Sequence, residues 1–192
     1  MIRLHHPPMQ FGVAWPQPHG GPLRLLHFGR LLPYKGLDLL AEALAILGPR
    51  PDLMVRVAGL GPESAELRAL RRLPNVAVDN RWVPEDEVGP LLSWSDALIL
   101  PYREASQSGV ATAALAAGRP IVATRVGGLI EQLGGCDRAF LCEPTAGQLA
   151  DALRRLVDHP PAAALAPEDP VAAWRDMGAS LLRQAGAILS TP

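Results

Sequence analysis

The chain has 192 residues, of which 48% are hydrophobic and 19% are charged, and its net charge is -1. This length and hydrophobic content fit one globular domain, and the balanced charge argues against a nucleic-acid-binding surface, which needs a basic excess. Two cysteines are too few for a disulfide scaffold and no run of about 18 apolar residues is present, so we expect a cytoplasmic protein.

Short apolar runs alternate with amphipathic segments from residue 23 onward. In chain order we predict a strand over residues 23–28, a helix over 37–47, a strand over 53–58, a helix over 62–73, a strand over 75–78, a helix over 84–92, a strand over 96–100, a helix over 107–117, strands over 120–123 and 139–142, and a helix over 145–157. Such alternation indicates a parallel sheet covered by helices on both faces. The predicted fold is a single α/β, Rossmann-like, doubly wound domain with its ligand at the carboxyl ends of the strands.

Two segments flank the predicted domain of residues 23–160. Residues 1–22 are rich in proline and histidine, and we interpret them as an irregular leader or linker. Residues 161–192 are interpreted as a linker followed by a terminal amphipathic helix over about residues 171–189. The apolar residues of that helix are Trp174, Met177, Leu181, Leu182, Ile188 and Leu189. An exposed apolar stripe of this kind is typical of an association site.

The loop after the first predicted strand holds one arginine and the single lysine of the chain. The strand ends at Gly29 and the next helix begins at about Gly36, so Arg30 and Lys35 lie at the carboxyl edge of the sheet, beside a helix N-terminus. Anions bind at such places. Arg30 can bind a phosphate through two parallel hydrogen bonds, and Lys35 is a compact point charge. The alternative is a pair of solvated cations, and the loop is not a P-loop.

Glycines follow two other predicted strands. Gly59 and Gly61 flank Leu60, where a backbone without side chains can approach a ligand. This segment lacks the third glycine and the acidic partner of a dinucleotide fingerprint, so an ordinary strand-to-helix turn is the alternative. Gly127 and Gly128 follow the fifth strand, and a plain connector is the alternative interpretation there.

Polar residues also precede the alanine-rich helix after the fourth strand. We predict that free N–H groups of Ser108, Gly109 and Val110 hold phosphate oxygens at the N-terminus of this helix. A compatible alternative is that Ser106 or Ser108 caps the helix. Glu104 could accept hydrogen bonds from a ligand rich in hydroxyl groups.

Other kinds of catalytic site are not indicated. The five histidines lack metal-ligand spacing, and the two cysteines lack Cys-x-x-Cys spacing. No Gly-x-Ser-x-Gly elbow for a nucleophilic serine is present. His27 lies within an apolar strand, so we interpret it as a packed core residue.

The order of the motifs is more specific than any single one. They are Gly-Arg-x-x-x-x-Lys-Gly at 29–36, Val-Ala-Gly-x-Gly at 57–61, Trp-Val-Pro-Glu at 82–85, Ser-Asp-Ala-Leu-Ile-Leu-Pro-Tyr at 95–102, Ala-Ala-Gly-Arg-Pro-Ile-Val-Ala-Thr at 116–124 and Gly-Gly-Leu-Ile-Glu at 127–131. This ordered set resembles the C-terminal, donor-binding domain of group 1 (family 4) glycosyltransferases, which have the GT-B fold. The resemblance covers residues 23–190, so the chain is expected to be one half of a GT-B fold.

The resemblance implies that the domain binds a nucleotide-diphosphate sugar, and that transfer retains the anomeric configuration without a metal or another cofactor. Arg30 and Lys35 match the family's basic pair on the diphosphate. Because they would neutralise the leaving group, they would also be the catalytic residues of this half. Val83 matches the position whose backbone contacts the nucleobase, and residues 108–110 match the helix N-terminus at the phosphates.

One departure from the family concerns its acidic residues. The family commonly has two glutamates eight residues apart before the Ala-x-Gly-x-Pro segment, and this chain has Ala105 and Ala113 there. The second glutamate usually holds the ribose. Glu104 and Gln107 are therefore the predicted substitutes.

The larger departure is length, because GT-B enzymes react in the cleft between two such domains and only 22 residues precede the first predicted strand. We expect a donor-binding half that acts with a separate N-terminal, acceptor-binding domain. The alternatives are a non-catalytic nucleotide-sugar-binding or oligomerisation module, and a complete enzyme of another kind with a dimeric cleft. The expected partners are the nucleotide-sugar donor and that domain, or a second copy through the terminal helix. A membrane-bound acceptor would make the protein peripheral to the membrane, although no basic amphipathic helix supports this.

Overall fold

The computed structural model describes residues 20–160, together with residues 175, 178–179 and 181–183. The strands are β1 (Leu23–Phe28), β2 (Leu53–Gly59), β3 (Val76–Asn80), β4 (Ala97–Leu100), β5 (Ile121–Thr124) and β6 (Ala139–Cys142). The helices are α1 (Leu37–Leu47), α2 (Ala65–Arg71), α3 (Glu85–Trp94), α4 (Gly109–Ala116), α5 (Gly128–Leu133) and α6 (Ala146–Asp158), and Pro33–Lys35 forms a 3-10 turn. All strand pairs are parallel, and the strand order is β3-β2-β1-β4-β5-β6. This confirms the predicted doubly wound, Rossmann-like fold.

The hydrophobic core has two layers, one on each face of the sheet. Helices α1, α2 and α6 cover one face, and their buried side chains are mostly leucines. Helices α3, α4 and α5 cover the other face, where α4 contributes Ala111, Ala113 and Ala114. Because these side chains are small, they allow the α4 backbone to lie close to the sheet. The central strands β4 and β5 are buried from both sides, since every one of their residues is buried.

The strand order reverses between β1 and β4, which are neighbours in the sheet although two strands and three helices separate them in the chain. Their register pairs Leu25 with Ala97 and Leu26 with Leu98. The loops that follow the two strands therefore lie side by side, and the Arg103 N–H donates to the Tyr34 carbonyl across them at 2.9 Å. In open α/β sheets, ligands bind outside the carboxyl ends of the strands at this switch point.

The predicted elements agree with the structure to within three residues at each end. The helix predicted from residue 62 begins at Ala65 because the Ser64 hydroxyl accepts a hydrogen bond from the Leu67 N–H at 3.3 Å and caps it. The helix predicted from residue 107 begins at Gly109 for the same reason, with Ser108 as its N-cap. Helix α5 is not predicted from the sequence. Six residues between two glycine pairs are too few to show a helical period.

The two ends of the chain lie largely outside the described residues. These include residues 1–19 of the predicted leader and four apolar positions of the predicted terminal helix: Trp174, Met177, Ile188 and Leu189. The described residues of that predicted segment are helical, and Leu181 and Leu182 are exposed. The predicted domain boundaries stay predictions. In the part of the chain that the structure describes, no helix combines the length and the apolar character needed to cross a membrane.

Candidate functional site

A cleft of about 1080 Å³ opens at the carboxyl edge of the sheet, between the loops that follow β1 and β4. Eight of the predicted site residues line it: Gly29, Arg30, Lys35, Glu104, Gln107, Ser108, Gly109 and Val110. We call residues 29–35 the basic loop and residues 104–110 the amide loop. The structure thus brings together two segments that are more than sixty residues apart in the chain, at the place where the fold binds ligands.

The basic loop presents two cations to the cleft. Arg30 is exposed and donates from Nη2 to the Tyr34 hydroxyl at 3.0 Å, whereas Lys35 is half-buried at the end of the 3-10 turn. Burial, and then the nearby Arg30 guanidinium, lower the pKa of Lys35 to about 8. Among the described residues, no carboxylate forms an ion pair with either cation. Their charge is therefore available to an anionic ligand.

A third cation at the cleft, Arg103, already forms an ion pair with a carboxylate. Arg103 donates from Nε to Asp38 Oδ2 at 2.9 Å, and this hydrogen bond from Arg103 lowers the pKa of the Asp38 carboxyl. Asp38 lies in the first turn of α1, where an acidic side chain also interacts favourably with the helix dipole. The pair joins α1 to the loop after β4 and leaves the anion-binding charge to Arg30 and Lys35.

The backbone conformation of the basic loop depends on two glycines. Gly36 has φ +67°, and a Cβ atom there would lie 1.7 Å from the carbonyl oxygen of Pro101 at the end of β4. Gly59, at the end of β2, makes a similar approach, because a Cβ atom on it would lie 1.7 Å from the carbonyl oxygen of Gly29. Glycine at these positions therefore lets the loops after β1, β2 and β4 pack backbone to backbone.

The amide loop ends at the N-terminus of α4. The Ser108 hydroxyl accepts a hydrogen bond from the Ala111 N–H at 3.2 Å, which confirms Ser108 as the cap. The prediction that the Ser108 N–H is free for a phosphate is wrong, because this group donates to Gln132 Oε1 at 3.1 Å. The N–H groups of Gly109 and Val110 have no acceptor among the described residues. These two amides are what the helix N-terminus offers a ligand.

Gln132 is a site residue that the sequence does not reveal. It reaches from α5 to the first turn of α4, where its Nε2 donates to the Ser108 carbonyl at 3.0 Å and to Thr112 Oγ1 at 2.9 Å. With the bond from the Ser108 N–H, one side chain thus makes three hydrogen bonds to the α4 terminus. The only sequence signal for this role is one glutamine in a short segment between glycines, and that signal is too weak to identify the role.

The cleft rim carries the predicted substitutes for the family's glutamates. Glu104 and Gln107 are both exposed there, and Glu104 is the one carboxylate among the described residues that line the cleft. Ala105 and Ala113 also line it, and Ala113 is buried. At the position where the resemblance places the family's second glutamate, the cleft lining therefore has a methyl group.

Three predicted donor-binding residues lie outside the cleft lining. Gly59 packs on Gly29, as described above, and the Leu60 carbonyl accepts a hydrogen bond from the Leu31 N–H at 2.9 Å while its side chain is exposed. Val83 is half-buried against the core layer that α3 covers. Leu60 and Val83 do not line the cleft, and their predicted contacts with the donor stay predictions.

A buried aromatic pair lies beneath the basic loop. His27 is fully buried, which confirms it as a core residue, and its Nδ1–H donates to the Ile99 carbonyl at 3.2 Å. Burial lowers the pKa of His27 to about 4, so the ring is neutral at pH 7. Tyr102 is 1% exposed, and burial raises the pKa of its hydroxyl to about 12. Both rings are therefore uncharged around neutral pH.

A family model described as "Glycosyl transferases group 1" matches residues 22–159 of this chain. The chain belongs to the group 1 glycosyltransferases. This match confirms the family that the ordered motifs predict, the C-terminal domain of enzymes with the GT-B fold.

In the described residues, no group of three or more histidine, cysteine, aspartate or glutamate side chains is arranged to hold a metal ion.

Curated relatives of this glycosyltransferase domain include the 2-deoxystreptamine glucosyltransferase of Streptomyces kanamyceticus. It is 31% identical over 156 residues, which cover 79% of this chain and 39% of that protein. The glycogen synthase of Mycobacterium tuberculosis is 34% identical over 161 residues, with the same two shares. The chain therefore spans about two fifths of the length of these relatives.

Solved glycosyltransferase structures share the fold. Sucrose-phosphate synthase from Thermosynechococcus elongatus superposes with a TM-score of 0.66 at 21% identity, covering 97% of this chain and 53% of that chain. HepE from Anabaena, solved in complex with UDP and glucose, gives a TM-score of 0.67 at 19% identity, covering 89% of this chain and 49% of that chain. At these identities the likeness establishes the Rossmann-like α/β architecture.

Proposed function

We propose that this chain is the donor-binding half of a retaining glycosyltransferase. It binds a nucleotide-diphosphate sugar in the cleft between the basic loop and the amide loop. A separate domain or chain holds the acceptor, and this proposal is supported by the chain's span of about two fifths of the relatives' length. The retained anomeric configuration is carried over from the family resemblance.

The observation that carries the proposal is the chemistry of the cleft lining. Arg30 and Lys35 lie at the same cleft as the amides of Gly109 and Val110, and none of these groups has an anionic partner among the described residues. A diphosphate carries oxygens for both sets of donors, since its two phosphoryl groups can contact cations and helix amides at the same time. A ligand with a single small charge would leave part of this set unused.

The same two cations have a role in the transfer step. When the bond between the anomeric carbon and the diphosphate oxygen breaks, negative charge develops on the leaving diphosphate. Arg30 and Lys35 stabilise that charge, and only the part of this stabilisation that grows toward the transition state accelerates the reaction. We propose that these side chains neutralise the leaving group without a metal ion.

The hydroxyl-rich part of the donor requires a different set of groups. We assign it to Glu104 and Gln107 at the rim, because a carboxylate and an amide can accept hydrogen bonds from sugar hydroxyls. The buried methyl group of Ala113 lines the cleft without offering such a bond. Ribose or sugar recognition in this chain therefore depends on the exposed rim rather than on α4.

Calorimetric titration of the whole chain with UDP, GDP and ADP, in buffer containing EDTA, tests the proposal. We expect one base to bind at micromolar to low-millimolar affinity. Lys35→Ala and Arg30→Ala should each weaken that binding by about 1.5–3 kcal/mol, the scale of a hydrogen bond to a charged group. Arg154→Ala is the control, because it removes one cation of α6 that does not line the cleft.

Two results would contradict the proposal: binding of none of the three nucleotides, or equal affinity in both cleft variants and the wild type.

A second candidate, a non-catalytic oligomerisation module, is favoured by the exposure of Leu181 and Leu182. Sedimentation separates the two candidates. A concentration-dependent oligomer that Leu182→Ser disperses, in a chain that binds no nucleotide, would establish the module.

A further inference from the structure

Tyr102 lies directly under the cation of the basic loop. It follows β4 in the chain, it lines the cleft, and its side chain is 1% exposed. The Nζ atom of Lys35 stands 3.7 Å from the centroid of its ring. An ammonium group over the face of an aromatic ring at this distance is attracted by the negative face of the ring.

The Tyr102 ring is held on several sides. Its backbone carbonyl accepts a hydrogen bond from Thr124 Oγ1 at 2.5 Å. The His27 ring packs edge to face against it, with the centroids 6.5 Å apart and the planes at 81°. Its hydroxyl lies 3.4 Å from Oγ of Ser108, the cap of α4, which is close enough for a weak hydrogen bond. A ring fixed in this way gives the flexible lysine side chain a defined position.

An aromatic partner differs from a carboxylate partner in what it leaves to a ligand. A carboxylate would hold the ammonium by neutralising it and would compete with phosphate oxygens for its hydrogen atoms. A ring face holds the cation without neutralising its charge. In the part of the chain that the structure describes, no side chain or carbonyl accepts a hydrogen bond from Lys35 Nζ. The ammonium therefore keeps its charge, and the N–H donors that do not face the ring, for the cleft.

We propose that Tyr102 is the positioning residue for Lys35. Its ring holds the ammonium at the cleft without neutralising it, so that the ammonium is already in position when a diphosphate binds. This inference rests on the proposed function. It also joins the two loops, because the same side chain touches Lys35 of the basic loop and Ser108 of the amide loop.

The contact can be measured directly, because Lys35 is the only lysine of the chain. Reductive methylation with ¹³C-formaldehyde labels Lys35 and the N-terminal amine, and the charge of the lysine is kept. Nuclei above a ring face resonate upfield, so we expect an upfield-shifted dimethyl-lysine signal in the wild type and in Tyr102→Phe. In Tyr102→Leu the signal should lose most of this shift, and the part that stays comes from the Tyr34 ring, whose centroid lies 5.1 Å from Nζ. Lys35→Arg identifies the N-terminal signal. A wild-type signal already at its position in urea-unfolded protein would overturn the inference, whether or not the leucine variant folds.

Nucleotide titrations then test whether the position matters for binding. With the nucleotide that binds the wild type best, we expect Tyr102→Leu to lose about tenfold in affinity and Tyr102→Phe to stay within about threefold, since the ring rather than the hydroxyl faces the cation. In a Lys35→Ala background, Tyr102→Leu should change the affinity less than about twofold. An equal loss in both backgrounds would mean that Tyr102 acts on the scaffold and would overturn the inference.

The two proposals fail in distinguishable ways. If the wild type binds none of UDP, GDP and ADP, the proposed function is wrong and the positioning role falls with it. If the wild type binds one of them and Tyr102→Leu binds it equally well, only the role of Tyr102 is wrong.

Discussion

The two loops of the cleft offer an anion different kinds of groups. The basic loop offers the charged side chains of Arg30 and Lys35, whereas the amide loop has no basic residue and offers backbone N–H groups. A cationic side chain is recognisable from its residue type. Whether an amide is free depends on its tertiary contacts, as the bond from the Ser108 N–H to Gln132 demonstrates. The charge at this site can therefore be predicted from the sequence, whereas its free backbone amides cannot.

The two loops also differ in what holds them. The basic loop packs backbone to backbone through Gly36 against the end of β4. The cap of α4 is held by side-chain hydrogen bonds from Gln132 and by the contact of Ser108 with Tyr102. Substitutions that damage the first contact should therefore cost more stability than those that damage the second.

The largest effect is expected for Gly36→Ala. The new Cβ atom would meet the Pro101 carbonyl oxygen at 1.7 Å, and alanine at φ +67° is strained as well. We expect the free energy of unfolding in urea to fall by about 2–4 kcal/mol, since the clash is with backbone atoms rather than with the end of a flexible side chain.

Gly135→Ala is the matched control for this substitution. Gly135 also has a positive φ of +86°, but a Cβ atom there would have nothing within 4 Å. It should lose only the backbone cost, about 1 kcal/mol. Equal losses in the two variants would show that the contact with Pro101 adds nothing to the stability of the basic loop.

Most of the fold could be predicted because its strands are short, largely apolar runs, and β1, β2 and β4 end at a glycine or proline. The sheet and five of the six helices follow from that pattern, whereas α5 has only six residues. The pair Arg30 and Lys35 could be predicted because charge and position relative to β1 are both visible in the sequence. The position of Tyr102 under Lys35 could not be predicted, because Tyr102 lies in the loop after β4, more than sixty residues from Lys35 in the chain.

Binding of the diphosphate by the basic loop should depend on pH through Lys35. Lys35 has a pKa of about 8, so about nine tenths of it is charged at pH 7 and about one tenth at pH 9. The charged form binds the diphosphate, and the affinity should therefore fall about tenfold, or about 1.4 kcal/mol, as the pH rises from 7 to 9. The buried neighbours His27 and Tyr102, with pKa values of about 4 and about 12, stay neutral and add no titration in this range.

Calorimetry at pH 7, 8 and 9 and constant ionic strength measures this dependence. Lys35→Arg is the control, because a guanidinium stays charged at pH 9 and its binding curve should be flat. If the wild type and this variant lost affinity equally, the titrating group would belong to the nucleotide or to another part of the protein.

Gln132 marks the limit of prediction at the amide loop. Its contacts with Ser108 and Thr112 join α5 to α4 across 24 and 20 residues of chain. Neither periodicity nor spacing relates a glutamine in a six-residue helix to the cap of another helix. The predicted phosphate donors at Ser108, Gly109 and Val110 consequently included one amide that the fold itself uses.

The smallest effect is expected for Gln132→Leu, which tests the amide loop. Leucine keeps the approximate size of the side chain but makes none of the three hydrogen bonds to α4. The Ser108 N–H would then be free to donate to the ligand or to water, and the cap would lose its fixed position. We expect nucleotide affinity to fall about threefold and stability by about 1 kcal/mol, the net value of a partly buried hydrogen-bonded group. Gln148→Leu, at an exposed position of α6, is the control and should change the affinity by less than the error of the titration. An unchanged affinity in Gln132→Leu would mean that the diphosphate is bound by the basic loop alone, and the two loops would then differ in function as well as in chemistry.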